Sequence, residues 1–265
     1  MFKRFLLISQ IVFLFLGVTG CKKYDIPLSA KSAILMSPFT KRVVYAKDPR
    51  ERLLPASTTK IMTALTVLKK SKLGEKVTVS AFASSIEPSK IYIKEGEEYF
   101  TGALLRAILL NSGNDASVAL AESVSGSEEE FAELMNDTAR SIGAKDTNFT
   151  NSNGLPSEGQ YSTAYDLALI VRAAMRNKDI TAVMKIKKSS ISEITTGRRI
   201  KLKNHNKFLW KDHPYTIFGK TGYTKKAGHC FAGYIEYNKW RRVIVVILKS
   251  KKLWSDLEAL AEALM

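Results

Sequence analysis

A chain of 265 residues that is 45% apolar and 25% charged has an ordinary globular composition and enough length for one large domain or two intertwined lobes. It shows no internal repeat, low-complexity tract or flexible linker, which sets aside repeat arrays and tethered modules. Lys and Arg outnumber Asp and Glu by 41 to 25, a formal charge of +16 that invites a nucleic-acid partner, but an export-type leader and the scatter of the cations in short pairs (Lys22-Lys23, Lys225-Lys226, Lys251-Lys252) argue for an anionic envelope surface instead.

The leader comes first. Lys3 and Arg4 precede the apolar run from Phe5 to Leu16, which is too short to read as a spanning helix, so residues 1–20 are expected to be a signal peptide. It ends in Val18-Thr19-Gly20-Cys21, which resembles the lipobox of bacterial lipoproteins. That resemblance implies cleavage before Cys21, lipid on its thiol and a membrane tether over residues 21–27; ordinary signal cleavage with an incidental cysteine is the alternative. With Cys21 lipidated, Cys230 is the only thiol left and no intramolecular disulfide staples the fold.

Ser32–Met36 and Arg42–Ala46 are short apolar runs around Ser37-Pro38-Phe39-Thr40, which predicts two strands and a turn. Past Pro55, the residues Ile61, Ala64, Leu65 and Leu68 recur at the spacing of a helix pressed into a core. Ser57 falls at the start of that helix and Lys60 lies one turn on, on the same face. A hydroxyl and an amine so placed form a candidate nucleophile with its own base, provided burial or neighbouring cations depress the lysine pKa. A Ser-x-x-Lys match occurs about once by chance in a chain of this length, so taken alone it also describes a helix cap and an exposed lysine.

Val77–Val79 and Ile91–Ile93 read as minor strands around the polar loop from Ser84 to Lys90. After Gly96 the pattern is helical for some eighty residues: a face of Leu104, Leu105, Ile108 and Leu109, a second helix after Asn111-Ser112-Gly113-Asn114-Asp115, a third opened by Ser127 and three glutamates, and a fourth capped by Thr163. Asn148 to Tyr161 reads as loop. From Thr181 onward the period changes to strand, with Tyr215–Phe218, Phe231–Ile235 and Val243–Ile247 as the main candidates, and Leu253–Leu264 closes the chain as an amphipathic helix. The expected fold is α/β of the α+β kind: one antiparallel sheet built from both chain ends, flanked by helices, with an all-helical lobe inserted over about residues 97–178 of a domain spanning 28–265.

Lys220-Thr221-Gly222 lies at the end of the first late strand, where alternation puts Lys220 and Gly222 on one face and the absent side chain leaves room for an extended substrate backbone. Thr221 points away in a regular strand. Together, Ser57-x-x-Lys60, Ser112-Gly113-Asn114 and Lys220-Thr221-Gly222 form an ordered set found in penicillin-binding proteins and class A β-lactamases.

The chain resembles the serine D-Ala-D-Ala carboxypeptidases, the low-molecular-weight penicillin-binding proteins, over about residues 28–264. The likeness extends to Asn153-Gly154-Leu155-Pro156, to the run from Gln160 to Ala168 and to the run from Gly219 to Gly228. It implies a β-lactamase-like fold and the hydrolysis of the terminal D-Ala-D-Ala bond of peptidoglycan stem peptides in the cell envelope. In that reading Ser57 attacks, Lys60 takes its proton, Ser112 and Asn114 pass the proton on and hold the peptide, Lys220 and Thr221 bind the terminal carboxylate beside Gly222, and the Ser57 and Tyr223 N–H groups hold the oxyanion. β-Lactams are the implied covalent inhibitors, and neither metal nor organic cofactor is required.

Some family members carry Arg where this chain has His205; an imidazole there does less for a carboxylate, and a structural histidine is the alternative. Many members also carry a C-terminal β-domain and an amphipathic anchor, and lipid on Cys21 would serve the same tethering purpose. A class A β-lactamase is the nearest rival. Its deacylating carboxylate has no match here beyond Glu158, no Glu-x-x-Leu-Asn pattern is present, and Gly113 stands where such enzymes tend to have Asp. A catalytically silent envelope binding protein is the third reading.

Overall fold

The computed structural model describes residues 26–265, so Cys21 and the leader lie outside the described residues. Strand β1 (Ser32–Met36), buried throughout, pairs with β2 (Val43–Lys47). A 3₁₀ turn over Ala56–Thr59 runs straight into α1 (Lys60–Lys70), whose first eight residues are all buried. Then come β3 (Lys76–Thr78), α2 (Ala81–Ser85), β4 (Glu98–Phe100) and α3 (Thr101–Arg106), which is prolonged by a π turn over Ala107–Asn111. Helices α4 (Asn114–Ser125), α5 (Glu128–Ser141), α6 (Ala164–Ala174) and α7 (Lys178–Lys185) follow. The chain ends with the hairpin β5 (Lys188–Ser192) and β6 (Arg199–Lys203), a 3₁₀ turn at Lys207–Trp210, strands β7 (Thr216–Thr224), β8 (Gly228–Glu236) and β9 (Arg242–Ser250), and helix α8 (Leu253–Glu262).

The helix starts follow local chemistry. Ser127 Oγ accepts from Glu130 N–H at 3.1 Å, and Thr163 Oγ1 accepts from Asp166 N–H at 3.0 Å, each meeting a donor that has no partner inside the helix.

The main sheet is antiparallel in the order β2-β1-β9-β8-β7, so both chain ends build it. Strand β9 explains the unbroken apolar run near the C-terminus. Ile244, Val246 and Leu248 face the core shared with the helical lobe, while Val243, Val245 and Ile247 face a second core closed by Leu253, Leu257 and Leu260 of α8. A strand covered on both faces has no solvent side on which to place polar residues.

Three predicted elements are corrected. Ile91–Ile93 forms no strand: Ile91 and Ile93 are buried and Tyr92 is exposed, but the backbone N–H groups of Ile91 and Ile93 donate to the Asp115 carboxylate at 3.0 to 3.3 Å. The strand that pairs with β3 is β4, so the segment after Gly96 is extended before it becomes helical. Thr181 lies inside α7, not at the start of strand structure. Asn177 Oδ1 caps that helix through Asp179 and Ile180 N–H, and Ile180 and Met184 supply a buried i, i+4 pair that outweighs the β-branched Thr181 and Val183.

The two chain ends are tied by one carboxylate. Buried Asp256 accepts from Ser29 N–H and Ser29 Oγ–H at 2.8 Å each and from Ser250 Oγ–H at 2.6 Å. Asp256→Ala strands these donors and is expected to cost about 2–3 kcal/mol in urea unfolding; a loss under about 0.5 kcal/mol would show that the tie contributes nothing.

Candidate active site

The turn that carries Ser57 is gripped between two glycines. Ala56 adopts a left-handed φ of 48° just before Ser57, and a Cβ on Gly154 (φ 87°) would lie 2.0 Å from the Ala56 carbonyl oxygen. On the other side β7 presses Gly222 against the same turn, where a Cβ would stand 2.8 Å from Ser57 N and 3.0 Å from Ala56 Cβ. The room left by Gly222 therefore serves the turn that carries Ser57 and brings the strand edge beside the Ser57 N–H. The Lys-Thr-Gly run also sits within β7, with four residues before it and two more after it, rather than at its end.

Lys60 is wholly buried behind Ser57. Its Nζ is 3.3 Å from Ser57 Oγ, 2.7 Å from Asn114 Oδ1 and 2.6 Å from the Asn153 carbonyl oxygen. The Asn114 amide is oriented by its own Nδ2, which donates to the Glu87 carbonyl at 2.9 Å, so the atom facing Lys60 is an oxygen that can only accept. A neutral amine has two N–H bonds and one lone pair. With two of its three partners confined to accepting, the lone pair is left to the third, the Ser57 hydroxyl, which can donate.

Charge favours that neutral amine. Burial, and then the neighbouring Lys220 cation, hold Lys60 well below the ordinary ammonium range, while Asp115 and Glu128 pull it partly back. Lys220 is itself only 2% exposed, and burial pushes it down to about 7. Its Nζ donates to the Thr221 carbonyl at 2.7 Å.

Among the described residues, one cleft of about 360 Å³ collects Ser57, Ser112, Asn114, His205, Thr221, Gly222 and Tyr223. Lys60 lies buried behind Ser57, and Lys220 is buried within β7 next to the lining residue Thr221. Ser112 reaches the cleft from a left-handed position (φ 63°) at the end of the π turn, which breaks the helical path between α3 and α4. Thr221 lines the cleft although strand alternation predicted it to point away. Tyr223 is largely exposed, with its ring 4.5 Å from that of His229. The His205 imidazole opens onto the cleft; desolvation there, then the cations Lys220 and Lys203, push it down to about 4, so at neutral pH it brings no charge to a bound carboxylate.

Apart from Asn114, the residues that hold Lys60 in place carry no role in the sequence reading. Asn153 supplies a carbonyl oxygen, which no side-chain pattern advertises. Glu128 Oε1 accepts from Ser152 N–H (3.1 Å), Ser152 Oγ–H (2.6 Å) and Asn153 Nδ2–H (3.1 Å), fixing that loop from the start of α5. In the sequence Glu128 reads only as one of three acids in the first turn of a helix.

Residues 20–252 match the family model described as D-alanyl-D-alanine carboxypeptidase. The chain is 39% identical over 232 residues to the D-alanyl-D-alanine carboxypeptidase DacF of Bacillus subtilis, covering 86% of this chain and 59% of that protein. It is 33% identical over 266 residues to DacD of Escherichia coli, covering 93% and 66%. The chain thus spans roughly three fifths to two thirds of the length of these curated relatives. Among solved structures, a D-alanyl-D-alanine carboxypeptidase from Mycobacterium tuberculosis superposes with a TM-score of 0.84 at 29% identity, covering 93% of this chain and 95% of that one. A mutant of the Streptomyces K15 DD-transpeptidase superposes with a TM-score of 0.82 at 28% identity, covering 89% and 96%.

Two outcomes test this geometry. Gly154→Ala should destabilise by about 2–4 kcal/mol, combining overpacking against backbone with a left-handed φ; an unchanged melting temperature would mean the turn is not gripped there. In an NMR titration the His205 ring should protonate below the ordinary value of about 6.5, and a midpoint at or above that value would contradict the neutral assignment.

Proposed function

The chain belongs to the D-alanyl-D-alanine carboxypeptidase family, and on that premise we propose that it hydrolyses the terminal D-Ala-D-Ala bond of peptidoglycan stem peptides through a serine acyl-enzyme. The observation that carries this reading is the hydrogen-bond pattern of Lys60, whose lone pair is left facing Ser57 Oγ.

Ser57 Oγ attacks the carbonyl carbon of the penultimate D-alanine as Lys60 Nζ takes the hydroxyl proton. The resulting oxyanion lies between the backbone N–H groups of Ser57 and Tyr223, fixed donors that need no reorganisation as charge develops. The C–N bond then breaks, and the proton passes from Lys60 by way of Ser112 Oγ–H to the departing amine. Asn114 holds the peptide, while Lys220 and Thr221 take the terminal carboxylate. Water next attacks the ester carbonyl, gives its proton to Lys60, and Ser57 leaves with a proton restored.

We assign residues 28–265 as the catalytic domain, with the helical lobe over about 97–178 forming the far wall of the cleft. Its place is the cell envelope, and Cys21 is our candidate for a lipid anchor. β-Lactams should acylate Ser57 in the same way, because their strained amide meets the same nucleophile, base and oxyanion donors.

The first test is mass spectrometry of the protein after incubation with penicillin, alongside D-alanine release from a stem pentapeptide. An adduct on Ser57 that Ser57→Ala abolishes, together with D-alanine release, supports the reading. Rapid penicillin turnover without peptide cleavage would favour a β-lactamase, and neither reaction would leave a binding protein.

The second test uses pH. Lys60 must be neutral and Lys220 cationic, and the free-enzyme Lys220 loses its proton as pH rises through about 7. Below that point carboxylate binding is intact; above it, KM for the pentapeptide should climb. A KM that stays flat to about pH 9 would remove Lys220 from carboxylate binding.

A further inference from the structure

The β5–β6 hairpin places Lys188 opposite Lys203, Ser190 opposite Lys201 and Ser192 opposite Arg199. Residues directly opposite share a face, so four cations stand on one side of a two-stranded ribbon, all of them exposed. The other face is apolar, with Ile191 and Leu202 buried against the protein. Like charges directly opposite one another are destabilising. Here they are offset only in part: Lys188 and Lys203 Nζ stand 5.6 and 5.3 Å from the centre of the Trp210 ring, and Arg199 Nε donates to Ser190 Oγ at 2.8 Å. None of the four makes an ion pair among the described residues.

The ribbon is also firmly placed. Ile194 N–H donates to the Glu98 carbonyl at 2.9 Å, and Arg198 Nε donates to Glu97 at 2.7 Å. At its other end Lys203 N–H donates to Asn111 Oδ1 at 3.1 Å, one residue before Ser112. Strand β6 then runs through Asn204 into His205 and Lys207, both of which line the cleft. With side chains on one face repeating every ~7 Å, Arg199, Lys201 and Lys203 make a row that leads to the site of acylation.

We propose that this face docks the glycan–peptide strand by the carboxylates of stem peptides neighbouring the one being cleaved. The proposal rests on the function argued above and names its preferred substrate, the uncrosslinked polymer rather than the isolated peptide. Only a ligand with several anionic groups can meet the whole row while one arm enters the cleft, and repeated weak contacts of this kind raise the effective concentration of substrate without new contacts at Ser57.

Docking is tested in the catalytically silent Ser57→Ala chain, so that its outcome stands apart from turnover. At roughly 0.1 M salt, adding Arg199→Glu and Lys201→Glu should weaken co-sedimentation with uncrosslinked pentapeptide-bearing strands about tenfold, and roughly 1 M salt should release the parent chain. In the active chain the same pair should lower kcat/KM on strands by a similar factor and leave cleavage of free pentapeptide unchanged. Equal sedimentation of the two chains overturns the proposal, as does a stronger preference of the parent for poly(glycerol phosphate) or phosphatidylglycerol vesicles than for strands. Failure to cleave free pentapeptide would instead count against the enzymatic reading.

Discussion

Two buried lysine side chains, one of which feels the charge of the other, set the terms for the rest of the site. An ammonium group removed from water is costly, and a second one nearby raises that cost, so the pair holds together only if one of them gives up its proton. Burial and then the field of Lys220 push Lys60 in that direction. Acids close enough to act on it are occupied elsewhere: Asp115 receives backbone N–H groups from Ile91, Ile93 and Ala116, and Glu128 holds Ser152 and Asn153. Direct ion pairing with either would restore the proton and end the amine's use as a base. What Lys60 meets instead is neutral oxygen, from Asn114 and Asn153, which fixes its direction without fixing its charge.

The same seam explains the glycines. Seating the Ser57 turn between β7 and the Asn153 loop requires backbone to pack on backbone at Gly154 and Gly222, distances at which even a methyl group collides. The left-handed Ala56 and Ser112 are further local departures, one before the nucleophile and one at the far wall of the cleft. Strained residues of this kind persist where the surroundings over-determine them. Here the surroundings are β7 on one side and the Asn151–Leu155 loop on the other, where Asn151 Oδ1 accepts from Gly154 N–H at 2.7 Å.

How much of this the sequence disclosed depends on where the information resides. The residues that meet at the cleft could be named because acyl-transfer chemistry needs particular side chains at helical or strand spacing, and Ser57, Lys60, Ser112 and Lys220 carry those spacings locally. The sheet was legible for a similar reason: residues 243–248 of β9 alternate between two cores and had to be apolar. Asn153 was not, because it contributes a carbonyl, and Glu128 was not, because its acceptor role depends on a loop 24 residues away. The expected strand at Ile91–Ile93 had the right burial and the wrong partner, since alternation reports which side chains are covered and is silent on whether the backbone bonds to a strand or to a carboxylate. The α7 error has the opposite cause. A short run with Thr181 and Val183 looks extended until its cap and its i, i+4 contacts are counted.

The distribution of acids bears on how an acyl-enzyme would be released. Among the described residues lining the cleft there is no Asp or Glu, and Glu158, the one acid in the loop where a class A β-lactamase keeps its water-activating carboxylate, is exposed and does not line it. On the proposed mechanism, deprotonation of the attacking water falls to Lys60, the same amine that serves acylation, and this amine must first have returned its proton to the leaving group. With a peptide the leaving amine diffuses away and carries that proton with it. With a β-lactam the leaving amine stays covalently tethered to the acyl group, so on the proposed mechanism it remains to compete with water for that one base. A cleft lined by no Asp or Glu among the described residues is therefore what the proposed single-base mechanism requires.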